Sequence, residues 1–366
     1  MHPLLRKLLG INWTLAATVF ALAFFGVYAI YSATWFRDAP FWKNQILWIL
    51  VGTPAFLFAA LLDYRWIRWG ALPFYIFSIA LLVAVRVVGV ERYGSSRWID
   101  LGPISIQPSQ IAIFAGILMV ALFLSRFQEI PAILKIIGTA VIVGAPCLLI
   151  LIQPDLGSTI VWGPVILAMF FVAGIPKRYL IVMLLCVVIT VPLAVNFVLK
   201  PYQRDRIMAF IDNDIDPLGV SWTINQSLIA IGSGGLAGKG FKAENTQNEL
   251  GFLPSTIVHN DFIFSAFAEQ HGFIGGFLLL CAYAFLILLC LQIAMAAEDE
   301  LGKLVVVGIA TMIATHVFMN IGMTISVTPI TGLPLPLVSY GGTFMASILA
   351  AFGLIQSIWI HRKMGV

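Results

Sequence analysis

The 366-residue chain is 60% apolar and only 10% charged, with a net charge of +4 at pH 7 and a mean hydropathy of +0.98. Soluble domains carry roughly 25% charged residues, and so sparse a charge cannot coat the core that a water-soluble fold of this length would bury. A soluble enzyme is therefore excluded, and the small net charge gives no reason to expect a nucleic-acid partner.

A helix crossing a bilayer needs about 20 apolar residues. The chain offers about ten such stretches, near 13–33, 45–62, 70–89, 108–125, 133–152, 158–175, 178–199, 262–291, 303–326 and 340–360. The first follows Arg6 and Lys7 but is too long for a signal-peptide core and has no small-residue cleavage site after it, so it reads as an uncleaved anchor. The expected fold is all-α and integral to the membrane: a polytopic bundle of about ten transmembrane helices. Residues 1–366 form one unit, with a large outer loop at about 200–260 between spans seven and eight.

Lysine and arginine in short loops mark the cytoplasmic side. With the N-terminus inside, Arg6, Lys7, Arg65, Arg68, Arg126, Lys135, Lys177, Arg178, Lys303, Arg362 and Lys363 lie within, eleven of the 21 basic residues, against five in the short outer loops. Both termini are thus expected to be cytoplasmic. Cys147, Cys186, Cys281 and Cys290 all fall inside spans without zinc spacing, and no HExxH pattern occurs among the five histidines.

The acids gather on the outer side. The 200–260 segment holds Asp205, Asp212, Asp214, Asp216, Glu244 and Glu249, and Trp222, Ile224, Leu228, Ile229 and Ile231 give it an apolar face suited to amphipathic helix. Within it, Gly232 to Gly240 is a glycine-rich turn around Lys239. Such a turn fits two readings: backbone amides and an ammonium presented to an anion, or a loop that needs positive φ. Arg204 and Arg206, just outside span seven, fit a bidentate phosphate contact as well as snorkelling at a helix end. Asp155, in Gln153-Pro154-Asp155-Leu156-Gly157, is either a functional acid at membrane depth or the cap of the next helix. Thr328 to Pro336 is too rich in proline for helix and reads as a rigid re-entrant or outer loop. Asp261 opens the eighth span, where a helix N-terminus favours its ionised form and burial opposes it. It reads as a tuned general base or as an N-cap.

Taken in order, these motifs resemble the SEDS family (shape, elongation, division and sporulation). The matching residues are Gly94-Ser95-Ser96-Arg97-Trp98-Ile99, Gln107-Pro108-Ser109, Gln153 to Ser158, Tyr202 to Arg206, Gln226-Ser227, Ala230 to Gly235 with Gly238-Lys239-Gly240, and Phe252-Leu253-Pro254. Asp261 to Phe264, His316 with Asn320 to Met323, Thr331 to Pro336, and Ser339-Tyr340-Gly341-Gly342 complete the set. The resemblance implies a peptidoglycan glycosyltransferase of the bacterial cytoplasmic membrane that polymerises lipid II at the outer leaflet. The short termini are closer to the elongation branch of the family than to its division branch.

It further implies a class B penicillin-binding transpeptidase and elongation-complex membrane proteins as partners, and the growing glycan strand as product. Asp261 would be the catalytic base. Arg204, Arg206 and Lys239 would meet the pyrophosphate, with Trp98, Asp155 and Ser339 also at the substrate. A divalent cation, Mg or Mn, is compatible with that chemistry. One departure stands out: where the family carries a glutamate and, three positions on, a lysine, this chain has Gln110 and Ile113, and Gln270 stands where an acid often follows Glu269. A flippase for lipid-linked sugars and a non-catalytic scaffold for a transpeptidase are the rival readings. One-sided polar chemistry weighs against the first, and the carboxylate at the site against the second.

Overall fold

The computed structural model describes residues 7, 10–92, 95–101, 104–197, 201–211 and 219–362. Arg6, Gly94, Asp212, Asp214, Asp216 and Lys363 lie outside the described residues.

Each expected span coincides with a helix. In chain order these are α1 (Trp13–Thr34), α2 (Phe41–Leu61), α3 (Ile67–Val88), α4 (Pro108–Arg126), α5 (Ala132–Ile152), α6 (Leu156–Val172) and α7 (Lys177–Phe197). The 200–260 loop contributes α8 (Pro201–Ile211) and α9 (Val220–Ser233), followed by α10 (Ile263–Ala296), α11 (Glu300–Thr324) and α12 (Gly342–Ile360). Among the described residues, eight helices are long and apolar enough to cross a membrane, and α6 is a shorter apolar one. The chain is a polytopic membrane protein. The all-helical expectation needs one addition: β1 (Val90–Arg92), β2 (Ser95–Leu101) and β3 (Ile104–Ile106) form a small antiparallel sheet between α3 and α4. Its β-branched and aromatic residues suit paired strand better than coil.

Local chemistry sets several helix starts. The Asn12 side chain accepts from the Leu15 amide, Asp155 from Ser158 and Asp299 from Gly302, each meeting an amide that has no partner within its helix. Pro108 opens α4, where its missing N–H costs nothing.

At the centre stands α11, with almost every residue buried. On one flank α2 and α12 run side by side through small residues. A Cβ on Gly353 would lie 2.3 Å from the Phe56 carbonyl oxygen, and one on Gly52 would lie 2.5 Å from the Leu349 side chain. Without a hydrophobic drive between helices in lipid, such close backbone approach supplies the association.

The two ends of the bundle differ. At one, Arg68 pairs with Asp299 at 2.9 Å, Arg65 pairs with Glu298, and the Tyr64 hydroxyl donates to Asp299. At the other lie the sheet, the 200–260 segment and the buried run 328–339, which enters between α1, α6 and α11. A Cβ on Gly26 would lie 2.5 Å from the Leu337 carbonyl oxygen, and one on Gly157 equally close to that of Thr331.

Gln110 and Ile113 both face inward on α4, and Ile113 belongs to the main core cluster. Ile113→Ala therefore removes buried packing worth about 2–5 kcal/mol, while Gln110→Ala, whose Nε2 has no partner, changes stability little. Both variants retain the glycan polymerisation that the resemblance implies, measured beside thermal unfolding in detergent. A large rate loss in folded Gln110→Ala would assign chemistry to that amide.

Candidate active site

Asp261 sits between two segments that a third clamps together. The Asn320 side-chain amide, on α11, donates to the Asp261 carbonyl at 3.0 Å and to the Leu333 carbonyl at 2.8 Å. Gly332, at φ +70°, passes beside the carboxylate, and a Cβ there would lie 3.4 Å from Asp261 Oδ2. Helix α10 begins at Ile263 with Phe262 in the cap position and no side-chain cap. The Asp261 carboxylate is thus not spent as an N-cap, and it accepts no side-chain hydrogen bond among the described residues. Burial pushes its pKa up to about 6, with Asp155 acting in the same direction and the Arg206 and Arg97 guanidinium groups pulling it down. Desolvation outweighs two nearby cations.

Asp155 has a different situation. Its carboxylate caps α6, accepts from Ser158 Oγ at 2.8 Å, Ser109 Oγ at 3.2 Å and Gln107 Nε2 at 3.3 Å, and pairs with Arg97 Nη1 at 3.7 Å. Arg97 also donates to the Pro154 carbonyl. The cap reading describes Asp155, and the same carboxylate pairs with the arginine that acts on Asp261. Arg97 went unassigned in the sequence, although its neighbour Trp98 did not. The 164 residues separating it from Asp261 hide their proximity.

Of the basic residues expected at a pyrophosphate, Arg206 on α8 reaches Asp261 electrostatically, whereas Arg204 is exposed. Lys239 is held elsewhere: its ammonium lies 2.6 Å from Glu269 Oε1, on a carboxylate with no exposed surface. Glu269 also accepts from the Gln247 amide and from Ser233.

The glycine-rich turn has its amides committed too. Helix α10 breaks at Gly272 (φ 64°, ψ −164°), and the turn closes the break. Lys239 N and Gly240 N donate to the Glu269 and Gln270 carbonyls, and Phe273 N and Ile274 N donate back to Gly235 and Leu236. Gly238, at φ +82°, has no room for a side chain, because a Cβ would lie 2.2 Å from the Gln270 carbonyl oxygen. Of the two readings, positive φ and close approach describe this turn. Gln270, at the acid's usual place, exchanges hydrogen bonds with Ser32.

Ser339 lies in the frame beneath the site. Its hydroxyl donates to the Asn260 carbonyl and accepts from the Leu335 amide. Trp98 instead lines a cavity of about 740 Å³ together with Trp48, His259, Asn260 and Tyr340. Among the described residues, no three His, Cys, Asp or Glu side chains converge on a metal-sized centre.

The comparisons with known proteins agree with one another. A family model for FtsW, RodA and SpoVE, described as "Cell cycle protein", matches residues 11–364. The peptidoglycan glycosyltransferase MrdB of Escherichia coli strain K12 is 40% identical over 352 residues, covering 96% of this chain and 94% of that protein. The peptidoglycan glycosyltransferase RodA of Treponema pallidum is 30% identical, over 97% of this chain and 98% of its own. Among solved structures, a chain from a peptidoglycan synthase complex that coordinates polymerization and crosslinking superposes with a TM-score of 0.82 at 30% identity, covering 97% of this chain and 99% of that one. RodA of Thermus thermophilus gives 0.73 at 28%, covering 97% and 98%.

If Lys239 serves Glu269, Lys239→Met leaves a buried carboxylate unpaired and costs about 3–5 kcal/mol. Glu269→Gln in the same chain restores both the unfolding temperature and polymer formation. A folded double variant that makes no polymer would return Lys239 to the substrate.

Proposed function

The chain belongs to the FtsW/RodA/SpoVE family and is a peptidoglycan glycosyltransferase, and on that premise we propose that Asp261 is the general base of a lipid II polymerase acting at the outer leaflet during cell elongation. The observation that carries the reading is a half-buried carboxylate that caps no helix, with Arg206 and Arg97 near enough to lower its pKa.

Asp261 takes the proton from the acceptor hydroxyl as that oxygen bonds to the anomeric carbon of the donor. The bond from that carbon to the lipid pyrophosphate breaks, and the pyrophosphate leaves with the electron pair. No covalent enzyme intermediate is needed, and the linkage inverts. Arg206 and Arg97 meet the charge that grows on the leaving group, where fixed cations in a dry site act most strongly. A pKa near 6 leaves the carboxylate ionised at neutral pH while keeping it more basic than an exposed aspartate. A divalent cation fits this scheme as a counter-ion on the pyrophosphate oxygens with few protein ligands, the mode Mg²⁺ favours.

Likeness to a complex that coordinates polymerization and crosslinking supports a class B transpeptidase as partner. A flippase would need polar groups open to both faces, but the arginines and acids at the far end of the bundle are paired with one another.

Asp261→Asn removes the base and leaves the fold, because no cap is lost. It lowers polymerisation of purified lipid II by about 10²–10⁴-fold, with unfolding and membrane insertion unchanged. In the wild type the rate falls tenfold per pH unit below about 6 as the carboxylate protonates. Arg206→Gln removes a charge that holds the pKa down, so its acidic limb lies at higher pH. Near-normal polymer from folded Asp261→Asn would remove the assignment.

The basic-residue count supports cytoplasmic termini and an inner-membrane location, which puts Asp261 outside. Exposed Glu244, changed to cysteine, is then labelled by a membrane-impermeant thiol reagent in intact spheroplasts. Labelling only after lysis would reverse the topology.

A further inference from the structure

Beside Asp261, the cavity of about 740 Å³ falls within the roughly 300–1,000 Å³ range of small-molecule sites. We infer that it is the acceptor subsite, taking the terminal N-acetylhexosamine whose hydroxyl Asp261 deprotonates; this rests on the polymerase reading above.

Its wall from Ser255 to Asn260 runs directly into Asp261, so a sugar bound there lies next to the base. A pyranose ring offers an apolar C–H face and a rim of hydroxyl and acetamido groups, and the cavity supplies a counterpart to each. The rings of Phe41 and His259 stack with centroids 3.8 Å apart, and Tyr340 meets both edge-on at 5.4 Å, a rigid aromatic corner. Trp48 is pressed against Gly342, where a Cβ would lie 2.5 Å from the indole. Trp98 lines the cavity and, among the described residues, stacks on no other ring. An indole face with its negative quadrupole suits the polarised C–H groups of a sugar.

Apart from Arg37, the polar rim is uncharged. His259 and Asn260 bring an imidazole and a side-chain amide to the wall. Burial, with Arg37 nearby, lowers the His259 pKa to about 4, so its ring is an uncharged donor and acceptor at neutral pH. Arg37 is the one cation in the lining, and it is committed to the Ser255 carbonyl and to Asn248 Oδ1. With its single cation already engaged, such a rim suits hydroxyl and acetamido groups better than a phosphate. The cations lie elsewhere for a geometric reason. Successive strand residues point to opposite faces, so Trp98 on β2 turns to the cavity while its neighbour Arg97 turns to Asp155 and Asp261. Sugar and pyrophosphate are thereby received on different sides of one strand.

The probe is N,N′-diacetylchitobiose, which carries the sugar and neither lipid nor phosphate, followed by saturation-transfer NMR on the purified full chain. Binding is expected in the wild type, with the strongest transfer to the acetamido methyl groups. It weakens about tenfold in Trp98→Ala and in His259→Ala, and the N-deacetylated disaccharide binds about tenfold more weakly as well. Inorganic pyrophosphate does not compete. Should Trp98→Ala fail to fold, Trp98→Phe and Asn260→Ala probe the same wall. No binding to a preparation that polymerises lipid II, or binding indifferent to every one of these substitutions, overturns the subsite. A preparation that binds the disaccharide but never polymerises lipid II would overturn the polymerase reading instead.

Discussion

One side-chain amide ties together the end of the bundle that carries Asp261. From the buried C-terminal part of α11, Asn320 donates to the carbonyls of both Asp261 and Leu333, joining the start of α10 to the run 328–339. At this depth each backbone group without a partner costs several kcal/mol, and the run has no helix of its own to supply them. Side chains from three other places, and Ser339 of the run itself, do so. His316 faces the Pro334 carbonyl, Tyr283 donates to Pro336, Gln45 to Ser339, and the Ser339 hydroxyl accepts from the Leu335 amide. Only with those groups met can Gly332 pass beside the Asp261 carboxylate without a side chain in the way.

Three buried or partly buried acids at that end meet three outcomes, and the contrast supports the role proposed for Asp261. Glu269 is neutralised by Lys239 and by a backbone amide. Asp155 is saturated by a helix terminus, two hydroxyls, an amide and Arg97. Both carboxylates are taken up by directed contacts within the protein. Asp261 has cations near enough to act on it, but its pKa is set first by burial. A carboxylate with a raised pKa and no such contacts is what general-base chemistry requires.

Much of this was legible in the sequence, for identifiable reasons. The spans follow from apolar run length, which the bilayer thickness makes nearly obligatory, and every expected span has its helix. The ordered motifs reached the family and its reaction, and they singled out Asp261, the base proposed above. What the sequence left open were contacts between distant segments. Lys239 looks like a free cation until Glu269, thirty residues on, is placed beneath it. The glycine turn looks like an anion nest until α10 is found broken at Gly272 and in need of partners. Ser339 keeps both of its hydrogen bonds inside the frame. Arg97 and Trp98, adjacent in the chain, separate in function only when the strand pleat turns them to opposite faces. The sheet itself was missed because three short strands in an outer loop leave little periodic signal.

The same physics accounts for the departure at positions 110 and 113. Removing one member of a buried ion pair leaves an uncompensated charge, whereas replacing both by groups of similar volume is often neutral or stabilising. This chain has replaced both: Ile113 packs in the core, and Gln110 is buried as an uncharged amide. The bond between the start of α4 and the start of α6 does not depend on that pair, because Gln107 and Ser109, one turn nearer the surface, reach Asp155. Those are the contacts that keep Asp155 against Arg97, and through Arg97 set the field at Asp261. The electrostatics that bear on the base thus lie above the lost pair, in groups this chain retains, and a helix interior relieved of two charges can pack apolar side chains without disturbing them.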